Sequence, residues 1–170
     1  IKSERKKDVF TIIENKYPVA LTKSEMKELN LIIEKTVKAF NLKNTPLLIQ
    51  VLKTQNGIFV IESSARIGGG SKHHLISKVT GINMLAFFTD VLEKKTIDNL
   101  EIINRVKTAR INYIYSEPGI IKRINKLEFE KESGIIDDYF FYKTEGMQIE
   151  GNKYSSDRIC GILLTSQKEN

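Results

Sequence analysis

The sequence has few of the residues that crosslink a chain or interrupt it. It contains one cysteine, three prolines and no tryptophan among 170 residues. A single cysteine, Cys160, excludes an internal disulfide framework and is typical of a reducing cytoplasm, where we expect the protein to be. No apolar run approaches the ~20 residues of a membrane span, so we expect no membrane partner. Hydrophobic residues make up 41% of the chain, which predicts a folded protein rather than a disordered one.

The chain is basic, with a net charge of +6 and a pI of about 9.3. Many of its lysines and arginines precede residue 44, where they alternate with acidic residues and are not interleaved with aromatics. This mixture favours a solvated, lysine-rich surface over a nucleic-acid-binding domain, the one alternative that charge alone suggests. A general attraction for anionic substrates such as nucleotides remains compatible with it.

The first part of the chain predicts helices on either side of a β-hairpin. A capping box at Thr22 and Glu25 and apolar residues at three- and four-residue steps predict a helix over roughly 23–41. Leu47–Lys53 and Ile58–Ser63 are strand-like and flank a turn signal, Gln55-Asn56-Gly57. Two short helices are then expected, the first capped by Ser71 and closed by Gly81, the second capped by Asn83.

The pattern changes after residue 105 to short strands separated by turn residues. The strand-like segments are Val106–Tyr115, Ile120–Phe129, Ile135–Tyr142 and Cys160–Leu164. They predict a mostly antiparallel β unit. We therefore expect an α+β protein with one domain over 1–105 and a β-rich subdomain over 106–170. Cys160 is expected to be a buried thiol, and two of the aromatics Tyr139–Tyr142 are expected to pack on the core.

The hairpin carries the residues that indicate chemistry. A two-residue Asn56-Gly57 turn would pair Gln50 with Ser63, whereas a three-residue loop would pair Gln50 with Glu62 on one face. In the second register an amide oxygen, a carboxylate and the hydroxyl of Ser64 converge. Such hard oxygen donors suit Mg²⁺ bound through phosphate oxygens.

A cation and three glycines follow the hairpin. Arg66 has the forked geometry that binds a phosphate or a carboxylate. Gly68, Gly69 and Gly70 allow backbone N–H groups to approach an anion. A hairpin that simply ends in charged and small residues explains the same pattern, so from the residues alone both interpretations stay open.

Several motifs together resemble the C-terminal half of an ATP-grasp domain, as in the large subunit of carbamoyl-phosphate synthase and in related amino-acid ligases. The similarity is carried by Leu48–Leu52, by Gly57–Arg66 and by Ser77-Lys78-Val79-Thr80-Gly81. In that family a Gln or Glu on one strand is followed about a dozen residues later by a Glu, an Asn and an Arg. These positions fall on Gln50, Glu62, Ser64 and Arg66.

The resemblance implies ATP as cofactor, with Mg²⁺ (or Mn²⁺), and a small carboxylate as substrate. It implies that Gln50, Glu62 and Ser64 are metal ligands, that Leu52 and Ile61 contact adenine, and that Arg66 stabilises the acyl-phosphate state. It also implies a ligase reaction in which a substrate carboxylate attacks the γ-phosphate and an amine then displaces the phosphate.

The sequence departs from the family pattern in two respects. Ser64 replaces the usual Asn, and only 49 residues precede Gln50, too few for the upstream half of such an enzyme. We therefore expect a fragment that lacks activity alone. The alternative is a non-catalytic, degenerate module for binding or oligomerisation, for example in a homodimer.

His73 and His74 follow the glycines. Adjacent helical residues point about 100° apart, which argues against joint metal binding. A surface or capping role is favoured, while His74 is the candidate to face the substrate pocket.

Overall fold

The computed structural model describes residues 1–5, 11–95, 102–103 and 105–167. The helices are α1 (Lys23–Ala39), α2 (Lys72–Thr80), α3 (Met84–Leu92) and α4 (Glu128–Glu132). The strands are β1 (Lys2–Arg5), β2 (Ile12–Tyr17), β3 (Leu48–Thr54), β4 (Gly57–Ser64), β5 (Thr108–Ile114), β6 (Gly119–Ile120), β7 (Asp138–Phe141), β8 (Gln148–Ile149) and β9 (Cys160–Ser166). All strand pairs among these residues are antiparallel. The predicted α+β class is confirmed.

The chain forms two compact units, each assembled from separate stretches. The sheet unit comprises Ile1–Val19, Gly70–Gly81 and Ile102–Asn170, and the hairpin unit comprises Ala20–Gly69 and Ile82–Glu101. The division into domains 1–105 and 106–170 stays a prediction. The part of it that concerns residues 96–101 lies outside the described residues.

The sheet unit is built on five strands in the order β1-β2-β5-β9-β7. Alternate residues of β5 are buried, which is the pattern of a strand with one face on a core. Helix α2 covers that face. The core consists of Leu75, Val79, Ala109, Ile111, Tyr113 and Leu163, with Phe140 and Tyr142 packed against it. Cys160 is buried and unpaired, so both the core thiol and the two core aromatics are confirmed.

The hairpin unit contains β3 and β4 beside helix α1. The capping box of α1 forms as predicted, since Thr22 Oγ1 accepts from Glu25 N and Glu25 Oε2 accepts from Thr22 N. Asn83 also caps α3 as predicted, through its Oδ1 atom. The apolar face of α1 forms but is not buried. Its members Met26 and Phe40 remain 45% and 66% exposed.

Two local predictions are wrong. Ile120–Phe129 is not one strand: only Gly119–Ile120 pairs, and Glu128–Glu132 is helical. Ser71 precedes α2 but does not cap it with its side chain. Its φ is +58°, and its Oγ interacts with the Tyr142 hydroxyl at 2.8 Å instead.

No single helix in the described part of the chain is long and apolar enough to cross a membrane. Helices α2 and α3 pass that test of length and composition only when they are taken together.

Candidate functional site

The hairpin brings Gln50 directly opposite Glu62. This is the pairing expected for a three-residue loop, but neither of the two turns considered from the sequence is present. The loop is Gln55–Asn56, with Thr54 paired to Gly57. Gly57, which follows the loop, has a φ of +122°, a conformation that favours glycine. Continued regularly, that register would set Gln50 opposite Ile61. A β-bulge between Gln50 and Val51 absorbs one residue and places Glu62 there. Bulges that re-aim a side chain in this way are frequent beside active sites.

Gln50, Glu62 and Ser64 share one face of the hairpin, because residues opposite each other or two apart point to the same side. Helix α1 lies on the other face, where Lys53 pairs with Glu25 at 2.8 Å and the Ile58 N–H donates to Glu28 at 3.0 Å. Among the described residues, the side chains of Gln50, Glu62 and Ser64 have no hydrogen-bond or ion-pair partner. Their oxygen atoms are therefore available to a ligand.

This donor set fits a hard divalent cation that takes its remaining ligands from phosphate. It offers one carboxylate, one amide oxygen and one hydroxyl, all of them oxygen donors. No group of three or more His, Cys, Asp or Glu side chains within the described residues is arranged to hold a metal ion. A protein cage for a bare ion is thus absent there, whereas Mg²⁺ is usually held by one or two carboxylates together with substrate phosphates and water.

Exposed apolar side chains lie next to these oxygen donors. Leu52 is 54% exposed and shares the face of Gln50, and Ile61, the bulge residue, is 52% exposed. Phe59, opposite Leu52, is 53% exposed. Sequence reasoning missed Phe59, although its alternation with the buried Ile58 was a usable signal. Together these side chains offer a flat apolar surface of the kind on which a planar ring packs.

Arg66 follows β4 in a bend. Its N–H donates to the Ser64 carbonyl at 2.9 Å, and its guanidinium Nη1 donates to the Ile67 carbonyl at 3.1 Å. The side chain is exposed and has no ion-pair partner among the described residues. Most of its five N–H donors are therefore available for an anion.

The glycine run is divided between the two units. Gly68 and Gly69 belong to the hairpin unit, and no heavy atom lies within 4 Å of a side chain added at Gly69. Gly70 belongs to the sheet unit and has a φ of +69°. A Cβ atom there would lie 2.2 Å from Nη1 of Arg158. Gly70 is thus required by local packing, whatever else it does.

His74, on α2 of the sheet unit, stacks on Phe140 with a ring separation of 4.2 Å and lies 4.1 Å from the His73 ring. Burial lowers the pKa of His74, while the nearby carboxylate of Asp138 acts in the opposite direction. His74 also lines a cavity of about 430 Å³ that contains Lys78, Asp137 and Asp138. His74 is therefore a stacked side chain at the edge of a polar cavity in the sheet unit.

Comparison with family models finds no match for this chain, and comparison with curated protein sequences finds none either. Solved structures do match it. Phosphoribosylglycinamide synthetase from Anaerococcus prevotii shares 15% identity and a TM-score of 0.76, over 98% of this chain and 43% of its own. L-amino acid ligase from Bacillus licheniformis shares 23% identity and a TM-score of 0.75, over 94% of this chain and 40% of its own.

A third match is the biotin carboxylase domain of 2-oxoglutarate carboxylase from Hydrogenobacter thermophilus, solved with MgADP, ADP and bicarbonate. It shares 13% identity and a TM-score of 0.65, over 92% of this chain and 35% of its own. The chain thus spans less than half the length of each of these three structures. All three are ATP-grasp enzymes. The fold of this chain is therefore that of part of an ATP-grasp enzyme, with antiparallel sheets and helices as the sequence predicts.

Proposed function

We propose that this chain supplies part of the Mg-ATP site of an ATP-dependent carboxylate–amine ligase. The observation that carries the proposal is the pairing of Gln50 with Glu62 across the hairpin, with both side chains unpartnered on the face that α1 leaves open. The structural likeness to an L-amino acid ligase and to phosphoribosylglycinamide synthetase supports the reaction class.

Gln50 and Glu62 would hold the metal ion, with Ser64 as a further oxygen donor. Bound Mg²⁺ (or Mn²⁺) would supply charge neutralisation at the phosphate oxygens of ATP. The MgADP in the biotin carboxylase neighbour supports this pairing of metal and nucleotide.

The exposed apolar side chains Leu52 and Ile61 would contact the adenine ring. Gly68, Gly69 and Gly70 would bring backbone N–H groups close to an anion, and His74 would line the pocket. Arg66 would act in the chemical step, because a forked guanidinium stabilises the charge that develops on phosphoryl oxygens as the substrate carboxylate attacks. An amine would then attack the carbonyl carbon of the acyl phosphate and displace the phosphate, which leaves an amide. The remaining part of the ATP site would come from an N-terminal half outside these residues.

The decisive experiment measures binding of Mg-ATP by the natural full-length protein, by thermal shift and calorimetry. Glu62→Gln should weaken Mg-dependent ATP binding by at least about tenfold to a hundredfold, the loss that even an outer-shell partner causes at a metal site. Glu34→Gln is the matched control. Glu34 is exposed on α1 and makes no ion pair within the described residues, so the same charge is removed without effect.

The role of Arg66 in the chemical step can be tested separately from ATP binding. Arg66→Ala should lower kcat by two orders of magnitude or more, on the order of what loss of one oxyanion donor costs, with little change in ATP affinity. Arg66→Lys keeps the charge but loses the fork and should recover only part of the rate.

A second candidate is a non-catalytic module with a degenerate ATP site. The observation that favours it is Ser64 at the position where the resemblance leads us to expect Asn. It predicts no nucleotide-induced stabilisation of the full-length protein even with the upstream half present. A clear Mg-ATP-dependent rise in melting temperature that Glu62→Gln abolishes would exclude it.

A further inference from the structure

The sheet unit contains a second cavity, which we name the Arg158 cavity. Its volume is about 310 Å³. Its lining residues are Gly70, Tyr142, Ser155, Ser156 and Arg158. A volume of this order accommodates one small molecule of amino-acid size.

Arg158 is held in a defined orientation beside this cavity. Its Nε donates to the Ser155 carbonyl at 2.5 Å. Its guanidinium carbon lies 4.3 Å from the ring centroid of Tyr113 and 5.6 Å from that of Tyr142. Stacking on an aromatic face fixes the plane of the guanidinium and reduces the entropy that it loses when it binds a ligand.

The half-buried charge of Arg158 has no carboxylate partner among the described residues. Its neighbour Asp157 is engaged by the Tyr154 N–H at 2.9 Å. The cavity that contains His74 differs, because there Asp137 lies 3.9 Å from Lys78 and Asp138 lies 2.8 Å from Lys131. Charged groups withdrawn from water are normally paired. The hydroxyls of Tyr115 and Tyr142 interact with the Arg158 side chain, so its partners among the described residues are neutral. A guanidinium without a carboxylate partner at a cavity points to an anionic ligand.

The composition of the lining favours a carboxylate over a phosphate. It supplies one cation and no lysine, which matches a single negative charge bound in a forked geometry. The exposed hydroxyl of Ser156 adds a neutral donor at the rim. Gly70 keeps the space open, because any side chain there would meet the guanidinium.

We propose that the Arg158 cavity is a binding subsite for the carboxylate of a small organic acid, with Arg158 as the forked donor. The biological interpretation rests on the proposed ligase function. In that reaction the carboxylate belongs either to the acid that is activated or to the amine-bearing substrate, and the two sources differ in whether a free amine improves binding.

The test is calorimetric titration of the natural full-length protein without ATP or Mg²⁺. The probes are propionate, L-alanine and alaninamide, which carry a carboxylate alone, a carboxylate with an amine, and an amine alone. We expect propionate and L-alanine to bind and alaninamide not to bind. Tighter binding of L-alanine than of propionate identifies the amine-bearing substrate, and the reverse order identifies the activated acid.

Arg158→Gln should weaken carboxylate binding by about tenfold to a hundredfold, the loss expected for a hydrogen bond to a charged group. Arg158→Lys should give an intermediate affinity. Arg110→Gln is the matched control, since Arg110 lies outside the cavity lining and its Nη1 is 3.8 Å from Glu14.

The Ser156→Asp variant tests the proposal even if the Arg158 variants fail to fold. Ser156 is exposed, so the change should preserve folding while placing a competing carboxylate beside the guanidinium, and carboxylate binding should be lost. Unchanged affinity in Ser156→Asp and in folded Arg158→Gln would overturn the proposal, as would binding of inorganic phosphate in preference to both carboxylates. The titrations omit ATP and Mg²⁺, so their outcome does not depend on the Glu62 experiment. A negative result in either experiment can therefore be interpreted without the other.

Discussion

Replacement of Gly70 by alanine tests how the glycine run is built into the sheet unit. The added Cβ would lie 2.2 Å from Nη1 of Arg158 and 2.9 Å from the Tyr113 hydroxyl oxygen, at a φ of +69°. Holding a non-glycine residue in this conformation costs about 1–2 kcal/mol. Arg158 can move aside because it is the end of a long side chain, but it then loses a stacking interaction of about 1–2 kcal/mol.

The free energy of unfolding should therefore fall by about 2–4 kcal/mol, which lowers the melting temperature by on the order of 10 °C in a domain of this size. Gly69→Ala is the matched control. No heavy atom lies within 4 Å of its added Cβ, so alanine there should be neutral or stabilise by up to about 1 kcal/mol. Differential scanning calorimetry of both variants measures the difference.

A double-mutant cycle separates the two contributions. In an Arg158→Ala background the part of the Gly70→Ala cost that comes from Arg158 should disappear, which corresponds to a coupling of about 1–2 kcal/mol. The backbone part and the contact with the Tyr113 hydroxyl remain. If Gly70→Ala melts like Gly69→Ala, or if its cost is the same with and without Arg158, the contact between Gly70 and Arg158 is not formed as described.

Three further changes test other parts of the fold. Thr22→Ala should destabilise the protein by about 1 kcal/mol in urea unfolding, because it removes the capping box of α1, and Thr22→Ser should recover most of the loss. Leu163→Ala should lower the free energy of unfolding by about 2–5 kcal/mol, since this side chain is fully buried. Phe129→Ala, at a position 74% exposed, should lower it by about 0.5 kcal/mol or less. Equal losses in the two variants would contradict the core assignment. Burial holds the pKa of His74 below its ordinary value of 6.5, so the unfolded chain binds the proton more readily. Stability should fall as the pH drops from above 6.5 through the lowered folded-state pKa, and a His74→Phe variant that kept the same slope between pH 7 and pH 5 would refute this assignment.

The elements predicted most successfully are those set by short-range signals. The capping box at Thr22, the cap at Asn83 and the terminal Gly81 each mark a helix end that the structure confirms. Such signals act within one helical turn, so the local sequence contains nearly all the information that they need.

The failures occur where distant residues compete with a local preference. Ser71 has the composition of a helix cap, but the Tyr142 hydroxyl engages its Oγ and its backbone takes a positive φ. Ile120–Phe129 contains enough apolar residues for a strand, yet only Gly119–Ile120 finds a partner, in β8. A strand forms only where another strand is in place to accept its hydrogen bonds.

The candidate site shows the same difference between what local signals predict and what distant contacts decide. The sequence predicted which residue types would meet at the hairpin, and the pairing of Gln50 with Glu62 was one of two registers that it allowed. The structure selected that register through a bulge at Ile61 rather than through a longer turn. A shift of one residue reverses the face of every side chain beyond it, and the turn signal alone does not fix where an extra residue is absorbed.

By itself, the sequence determined where α1 and α3 begin and where α2 ends, the existence of the hairpin, the alternation that buries one face of β5 and the chemical types at the candidate metal site. Only the tertiary structure decided that β2 pairs with β5 in a five-stranded sheet and that Arg158 lies against Gly70 and Tyr113. The physical reason is that caps, turns and periodicity depend on neighbours along the chain. Strand order and the approach of the Arg158 guanidinium to Gly70 depend instead on contacts between distant segments, which no local pattern encodes.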